Sequence, residues 1–147
     1  EAEAHQQLLD SVFAPLRAVY LKTPGPPRNP TGNARSVVAE CGGCLVGAVS
    51  YYFRKDQVRL FAVAVDPDHR GRGIARALVA WVAENVCSET HPALGLYTIE
   101  ETGNPRIFEK LGFRTVSRRI AFDATSPSGG PVHEVDMVRQ GRDTSLR

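Results

Sequence analysis

The fold and the candidate site are both indicated by the stretch Val63-Ala64-Val65-Asp66-Pro67-Asp68-His69-Arg70-Gly71-Arg72-Gly73-Ile74-Ala75-Arg76. An apolar segment typical of a strand runs into a glycine-rich turn, and the turn leads into an amphipathic helical pattern. The first backbone N–H groups of a helix have no partner within the helix, and the helix dipole adds positive charge there. Because Gly71 and Gly73 lack a Cβ, an anion can approach this backbone closely. The stretch therefore predicts a phosphate-binding site at the start of the helix.

Three arginines in the same stretch support this prediction. Arg70, Arg72 and Arg76 place cations at the positive end of the helix dipole, where each alone costs about a few tenths of a kcal/mol. A bound pyrophosphate would turn that cost into a gain, and the alternative is a solvated basic turn that only caps the helix. A Walker-type loop requires Gly-Lys-Ser/Thr, which the turn lacks. A dinucleotide fingerprint requires a small residue where Arg76 stands.

Apolar periodicity and turn residues predict the remaining elements on both sides of this stretch. The predicted helices are residues 5–20, 73–86 and 104–111, and the predicted strands are residues 34–40, 45–54, 58–65, 93–99, 113–123 and 132–139. Gly42-Gly43 predicts a two-residue hairpin turn, Gly112 closes the last helix, and a Pro- and Gly-rich loop at 22–32 is long enough to serve as a lid. One strand–helix–strand succession predicts a parallel crossover in a mixed, mostly antiparallel sheet flanked by helices, an α/β (α+β) fold.

Length and composition favour a single domain over residues 1–147. Hydrophobic residues make up 42% and charged residues 23%, as in ordinary globular proteins, and the net charge of +2 is too small to favour nucleic acid or a membrane as a partner. We see no apolar run near the length of about 20 residues that spans a bilayer, and no signal peptide pattern. Residues 1–5 are interpreted as an expression scar or a frayed native start, and residues 140–147 as a polar tail.

The three cysteines indicate a reducing setting, and we expect a cytoplasmic protein. Cys41 and Cys44 flank the predicted hairpin turn. A redox Cys-x-x-Cys would open a helix, and a zinc site needs a second ligand pair. We therefore interpret both as small residues beside a tight turn, and we predict no metal site.

The quoted stretch resembles the cofactor signature of the GCN5-related N-acetyltransferase (GNAT) family, Arg/Gln-x-x-Gly-x-Gly/Ala, which is met by Arg70, Gly73 and Ala75. The segment Phe108-Glu109-Lys110-Leu111-Gly112-Phe113 is similar to a second family element, Tyr-x-x-x-Gly-Phe. The resemblance extends over residues 34–139. It implies the GNAT-like acyl-CoA N-acyltransferase fold, acetyl-CoA as co-substrate, and direct attack by an amine, either a small molecule or a peptide.

The resemblance also implies which residues bind the cofactor. The backbone of Val63 and Val65 would pair with the pantetheine arm as an added strand. Asn104 and Phe108 would border the same arm, on the far side of a splayed strand pair. For Asn104 a helix N-cap followed by Pro105 at the first helical position is an alternative that can hold at the same time. The N–H groups that would hold the pyrophosphate belong to the turn residues Arg70, Gly71, Arg72, Gly73, Ile74 and Ala75.

The catalytic groups are where this sequence departs from the family pattern. The family often has a tyrosine acid where Phe108 stands, and phenylalanine cannot donate a proton. A positioned acid typically raises the rate about 10²- to 10⁴-fold. However, a thiol with a pKa of about 8.5 is a tolerable leaving group without such an acid. Tyr97 is the candidate replacement acid, and Glu100 or Glu101 could relay the amine's proton through water. The alternative is an ordinary packed tyrosine with solvated carboxylates.

Two further functions stay open at this point. Phe108 suggests a catalytically weak or inactive acyl-CoA-binding module of the same fold. The arginine turn suggests a plain anion- or nucleic-acid-binding domain, which a compact, local basic cluster favours least. The segments expected around the acceptor carry no decisive charge, so its identity is not predicted, and we expect a monomer or a homodimer.

Overall fold

The computed structural model describes residues 2–23 and 32–141, which form one sheet with helices packed on its two faces. Three α-helices and seven strands make up these residues. The helices are α1 (Ala2–Phe13), α2 (Ile74–Asn85) and α3 (Asn104–Lys110), and the strands are β1 (Leu21–Lys22), β2 (Arg35–Cys41), β3 (Cys44–Arg54), β4 (Gln57–Val65), β5 (Ala93–Ile99), β6 (Arg114–Thr125) and β7 (Pro131–Gln140). The central and C-terminal elements lie within one or two residues of their predicted bounds.

The sheet order is β1-β6-β7-β5-β4-β3-β2. β4 and β5 are parallel and are joined by a crossover through α2, whereas every other neighbouring pair is antiparallel. This confirms the predicted mixed sheet with one parallel crossover. The turn between β2 and β3 is also as predicted, because Gly42 and Gly43 have φ angles of +59° and +83°, which a two-residue hairpin of this kind requires.

The N-terminal region departs from the prediction in three places. α1 begins at Ala2, three residues before the predicted start, so residues 2–5 are helical and the interpretation of a frayed start is wrong for them. The α-helix ends at Phe13, and Ala14–Ala18 continue as a 3₁₀ turn, so the prediction of one helix over 5–20 is wrong beyond residue 13. Pro15 explains the change, because it has no N–H to donate and its ring conflicts with the carbonyl four residues earlier. β1 was not predicted, since two residues carry no periodicity. The rest of the expected lid, residues 24–31, and the tail from residue 142 lie outside the described residues.

Alternation along the strands places apolar clusters on both faces of the sheet. On one face the larger cluster packs α2 against the sheet, with Val79, Val82 and Leu94 fully buried. On the other face a small cluster joins Leu8 of α1 to alanines of β3 and β4. The large cluster anchors the start of α2, and the small cluster leaves room between α1 and the middle of the sheet.

None of the helices in the described ranges has the length and apolar character needed to cross a bilayer.

Candidate active site

The glycine-rich turn presents open backbone at the start of α2. Gly71 and Gly73 have φ angles of +76° and +78°, in the left-handed region that favours glycine. A Cβ built on either residue meets no heavy atom within 4 Å. Gly73 is the N-cap of α2, so no side chain occupies the first N–H groups of that helix. The turn therefore has the space and the donors that a phosphate group requires.

The three arginines of this stretch divide into two roles. Arg70 and Arg72 are exposed on the turn. Arg76 points elsewhere, because its Nη2 donates to the carbonyl oxygen of Lys110 at 2.9 Å, at the carboxyl end of α3. A guanidinium is favourable at that end of a helix. Arg76 therefore holds α3 against α2, and the cations near the turn are Arg70 and Arg72.

The parallel strands β4 and β5 stay together for only three residue pairs. These pairs are Gln57↔Ala93, Val58↔Leu94 and Arg59↔Gly95. The strands then separate at a bulge, where β4 uses one residue more than β3 and Ala62 has a φ of +52°. The backbone edge of β4 that includes Val63 and Val65 therefore faces β5 without pairing to it.

A cavity of about 660 Å³ lies where the two strands separate. Its lining includes the β4 segment after Arg59, the end of β5, α1 and parts of β6 and β7. Four of the residues singled out by sequence are brought together here, namely Val63, Tyr97, Asn104 and Phe108. Val65, the turn residues 70–75 and Glu100 are not among its lining residues.

The start of α3 differs in detail from the prediction. Gly103, with a φ of +81°, is the N-cap, and Asn104 is the first helical residue, so Pro105 occupies the second position rather than the first. The Asn104 N–H donates to the Thr102 hydroxyl at 3.1 Å, and that hydroxyl donates to the Ile99 carbonyl at 2.6 Å. The N-cap interpretation of Asn104 is therefore wrong, because Thr102 supplies the capping oxygen. Asn104 remains among the residues that line the cavity.

The two aromatic residues of the candidate site lie in different surroundings. Phe108 packs edge-on against Phe113, with ring centroids 5.8 Å apart, next to the large core. Tyr97 lies two residues beyond the last β4–β5 pair, with the guanidinium carbons of Arg59 and Arg119 at 4.3 and 5.6 Å from its ring centroid. These cations hold the ring of Tyr97 by cation–π contact.

Glu100 and Glu101 lie near the end of β5 but bind other side chains. Arg118 donates to both carboxylate oxygens of Glu100, from Nε at 2.7 Å and Nη2 at 3.0 Å. These hydrogen bonds lower the pKa of Glu100 below its ordinary value. Glu101 accepts from the backbone N–H of His133 at 2.8 Å and lies 2.7 Å from its Nδ1. The structure therefore does not bring Glu100 together with Tyr97.

Sequence reasoning missed two buried charged residues of the cavity. Arg59 on β4 and Glu134 on β7 are 4% and 3% exposed. Arg119 donates to Glu134 Oε1 from Nε and Nη2, at 3.0 and 2.8 Å. The signal was available for Arg59, because a charge between Val58 and Leu60 in a strand alternates onto the sheet face opposite to theirs. That face was not identified as the lining of a cavity.

Known proteins resemble this chain in sequence. A family model described as the acetyltransferase (GNAT) domain matches residues 32–115. L-2,4-diaminobutyric acid acetyltransferase from Streptomyces coelicolor is 33% identical over 112 residues, which is 70% of this chain and 65% of that protein. The chain thus spans a little under two thirds of the length of that relative.

Solved structures resemble its fold. Escherichia coli ElaA superposes with a TM-score of 0.65 at 17% identity, over 95% of this chain and 89% of that one. An aminoglycoside 6'-N-acetyltransferase complexed with coenzyme A superposes with a TM-score of 0.60 at 18% identity, over 74% of this chain and 73% of that one. At these identities the likeness shows the fold.

Proposed function

Since the chain belongs to the GNAT acetyltransferase family, we propose that it transfers the acetyl group of acetyl-CoA to an amine. The observation that carries this proposal is the separation of β4 from β5 after Arg59↔Gly95, with a cavity of about 660 Å³ in the gap. An unpaired strand edge is a ready partner for an extended chain that carries amide groups. The open turn at the start of α2 offers a place for that chain's phosphates.

The proposed cofactor contacts follow from these two features. The backbone of Val63 and Val65 would take the amides of the pantetheine arm, and Asn104 and Phe108 would border the arm from the α3 side. The turn N–H groups, with Arg70 and Arg72 nearby, would take the pyrophosphate. The geometry fits this assignment because the turn is open and the β4 edge is unpaired. When bound, acetyl-CoA supplies the acetyl group as a reactive thioester.

We assign the general acid to the Tyr97 hydroxyl, whose Oη would deliver a proton to the departing sulfur. Tyr97 lines the cavity at the point of strand separation, and its ring is fixed by Arg59. Phe108 occupies the family's usual acid position and has no proton to give. The site therefore still contains a phenol, but this phenol belongs to β5 and not to α3.

A relay of the amine's proton through Glu100 finds less support in the geometry. The Glu100 carboxylate is bound at both oxygens by Arg118, and its lowered pKa makes it a poor base at neutral pH. A group outside the cavity could also act only through intervening water. We therefore propose that the amine loses its proton to water in the cavity.

The acceptor is proposed to enter the cavity from the α1 side of the sheet. Tyr20, Tyr52 and Asp123 line this side together with Tyr97. Burial, and secondarily the nearby Asp123 carboxylate, raises the pKa of Tyr20, so this phenol stays protonated at neutral pH. The relatives are named for a small amino acid and an aminoglycoside, both of which offer primary amines. A small amine fits a cleft of this volume.

A thiol-release assay with acetyl-CoA and a panel of amines tests the proposal, alongside titration calorimetry with CoA alone. We expect CoA to bind and at least one amine to release thiol above the rate of hydrolysis. A protein that binds CoA but releases no thiol with any amine is an acyl-CoA-binding module instead. Absence of CoA binding would refute the assignment of the site.

A reducing compartment such as the cytoplasm is also part of the proposal. No disulfide bond joins Cys41 and Cys44. Cys41 and Cys44 are exposed and face each other in register across the hairpin. Their reduced state in the native host, measured by thiol alkylation of freshly lysed cells, checks this expectation.

A further inference from the structure

The cavity contains a buried cation whose hydrogen-bonding capacity is only partly used. The Arg59 side chain is 5% exposed. Its Nη1 donates to Gln57 Oε1 at 2.8 Å and to Asp136 Oδ1 at 3.1 Å. Its Nη2 is buried and has no hydrogen-bond partner among the described residues. A buried guanidinium N–H group without a hydrogen-bond partner costs folding free energy, and in native structures such a group calls for an explanation.

The surrounding sheet is built to hold this arginine in place. Gly95, its partner on β5, has no side chain, and a Cβ there would collide with Arg59 Nη1 and Gln57 Oε1. Tyr97, two residues along the same strand, lies under the guanidinium. Arg59 therefore has two fixed partners for Nη1, an aromatic face for the planar group, and a glycine that makes room. Such preorganisation is typical of a binding group held ready for a ligand.

The position of Arg59 relates it to the proposed chemistry. It is the last β4 residue paired with β5, so it lies where the strands begin to separate. It lines the same cavity as Tyr97, which we propose as the acid. A guanidinium prefers planar oxyanions, and a carboxylate is the member of that class common among small amines. The cavity lining also includes Asp10 and Asp123, whose carboxylates suit the ammonium group of such a molecule.

We propose that Arg59 binds a carboxylate of the acceptor, so that the acceptor class is an amine that also bears a carboxylate, as amino acids do. This inference rests on the proposed function and narrows its acceptor. Arg59 acts here as a specificity-determining residue and takes no part in proton transfer. The competing explanation is that Arg59 has a structural role alone, in which packing against the Tyr97 ring compensates for the missing hydrogen bond of Nη2.

The test compares matched acceptors on the unmodified protein, so that it does not depend on a variant folding. Amino acids and their C-terminal amides, including 2,4-diaminobutyric acid and its amide, are titrated into CoA-saturated protein and assayed for thiol release. Loss of a charge-assisted hydrogen bond weakens binding roughly ten- to a hundredfold. We expect the acid to exceed its amide by that ratio in affinity and in kcat/KM, chiefly through KM.

Variants then assign the preference to this residue. Arg59→Met should bring acid and amide to the same affinity, and Arg59→Lys should restore part of the difference. Arg54→Met, which removes an exposed arginine at the end of β3, is the matched control and should keep the wild-type ratio. CoA affinity, measured in each variant, reports whether the cofactor site is intact.

Equal binding of acids and amides by the wild type would overturn the inference, as would a panel in which no carboxylate-bearing amine binds. Either result leaves the proposed function standing if thiol is released with other amines. The proposed function fails separately, by an absence of CoA binding or of thiol release with every amine.

Discussion

Replacing Gly73 by glutamate should weaken CoA binding strongly, and replacing it by glutamine should weaken it far less. Gly73 is the N-cap of α2, and the space where its Cβ would stand is open for 4 Å. Both new side chains therefore enter the region assigned to the pyrophosphate. They have the same shape, and both must adopt a φ of +78°. The pair thus separates the effect of charge from the effects of size and backbone strain.

The magnitude follows from Coulomb's law. A carboxylate about 5 Å from one phosphate charge is repelled by about 1 kcal/mol in a watery setting and about 3 kcal/mol at an effective dielectric constant near 20. The dissociation constant of the glutamate variant should therefore exceed that of the glutamine variant by roughly 5- to 150-fold. The left-handed backbone costs either side chain roughly 1–2 kcal/mol of folding stability, which both variants share.

Titration calorimetry with CoA at two salt concentrations is the measurement. The difference between the variants should shrink at high salt, because exposed charges are screened. Thermal unfolding of both variants provides the control for folding. If glutamate and glutamine bind CoA equally well, the diphosphate does not sit at this turn, and the placement of the cofactor is wrong.

Three other perturbations test other parts of the molecule. Tyr97→Phe should lower kcat by about 10²–10⁴ with unchanged CoA affinity, and adding Phe108→Tyr should recover part of the loss; full activity of the single variant would exclude Tyr97 as the acid. Gly47→Val should lower the Tm by roughly 3–10 °C, because a Cβ there lies 2.7 Å from the γ2 methyl of an isoleucine on α2. Gly32→Val is the control, because a Cβ at that site meets no heavy atom within 4 Å. An equal loss of Tm in both variants would contradict the packing argument. Glu100→Gln should lower the Tm slightly at pH 7, because the hydrogen bonds from its arginine partner on β6 hold the pKa of this carboxyl below its ordinary value. That contribution is present above the unfolded-state pKa and is lost as pH falls through the folded one, so a difference that persists at pH 2 would refute it.

The sequence predicted the centre and the C-terminal half of the fold well because these elements carry strong local signals. α2 has one continuous apolar face, and β4, the strand before it, ends directly before Asp66-Pro67. The hairpin at Gly42-Gly43 was predicted from two residues, since few other pairs tolerate positive φ twice in succession. The same logic located the open turn at Gly71 and Gly73.

The parts that were missed depend on contacts between distant segments. β1 exists because Leu21 meets Thr125, more than a hundred residues away, and two residues alone carry no pattern. The N-cap of α3 shifted by one residue because Thr102 supplies the hydroxyl. Arg59 and Glu134 become cavity residues only when β4, β5 and β7 are placed side by side. Glu100 was predicted as a proton relay from its position after β5, but Arg118 of β6 binds its carboxylate.

The three residue pairs that join β4 to β5 have a consequence beyond catalysis. The sheet consists of two antiparallel blocks, and among the described residues the strand pairing that joins them is confined to this short seam. If acetyl-CoA binds along the seam as proposed, its binding free energy would add to the free energy needed to separate the two blocks. The resistance of the protein to proteolysis should therefore increase with the concentration of the cofactor.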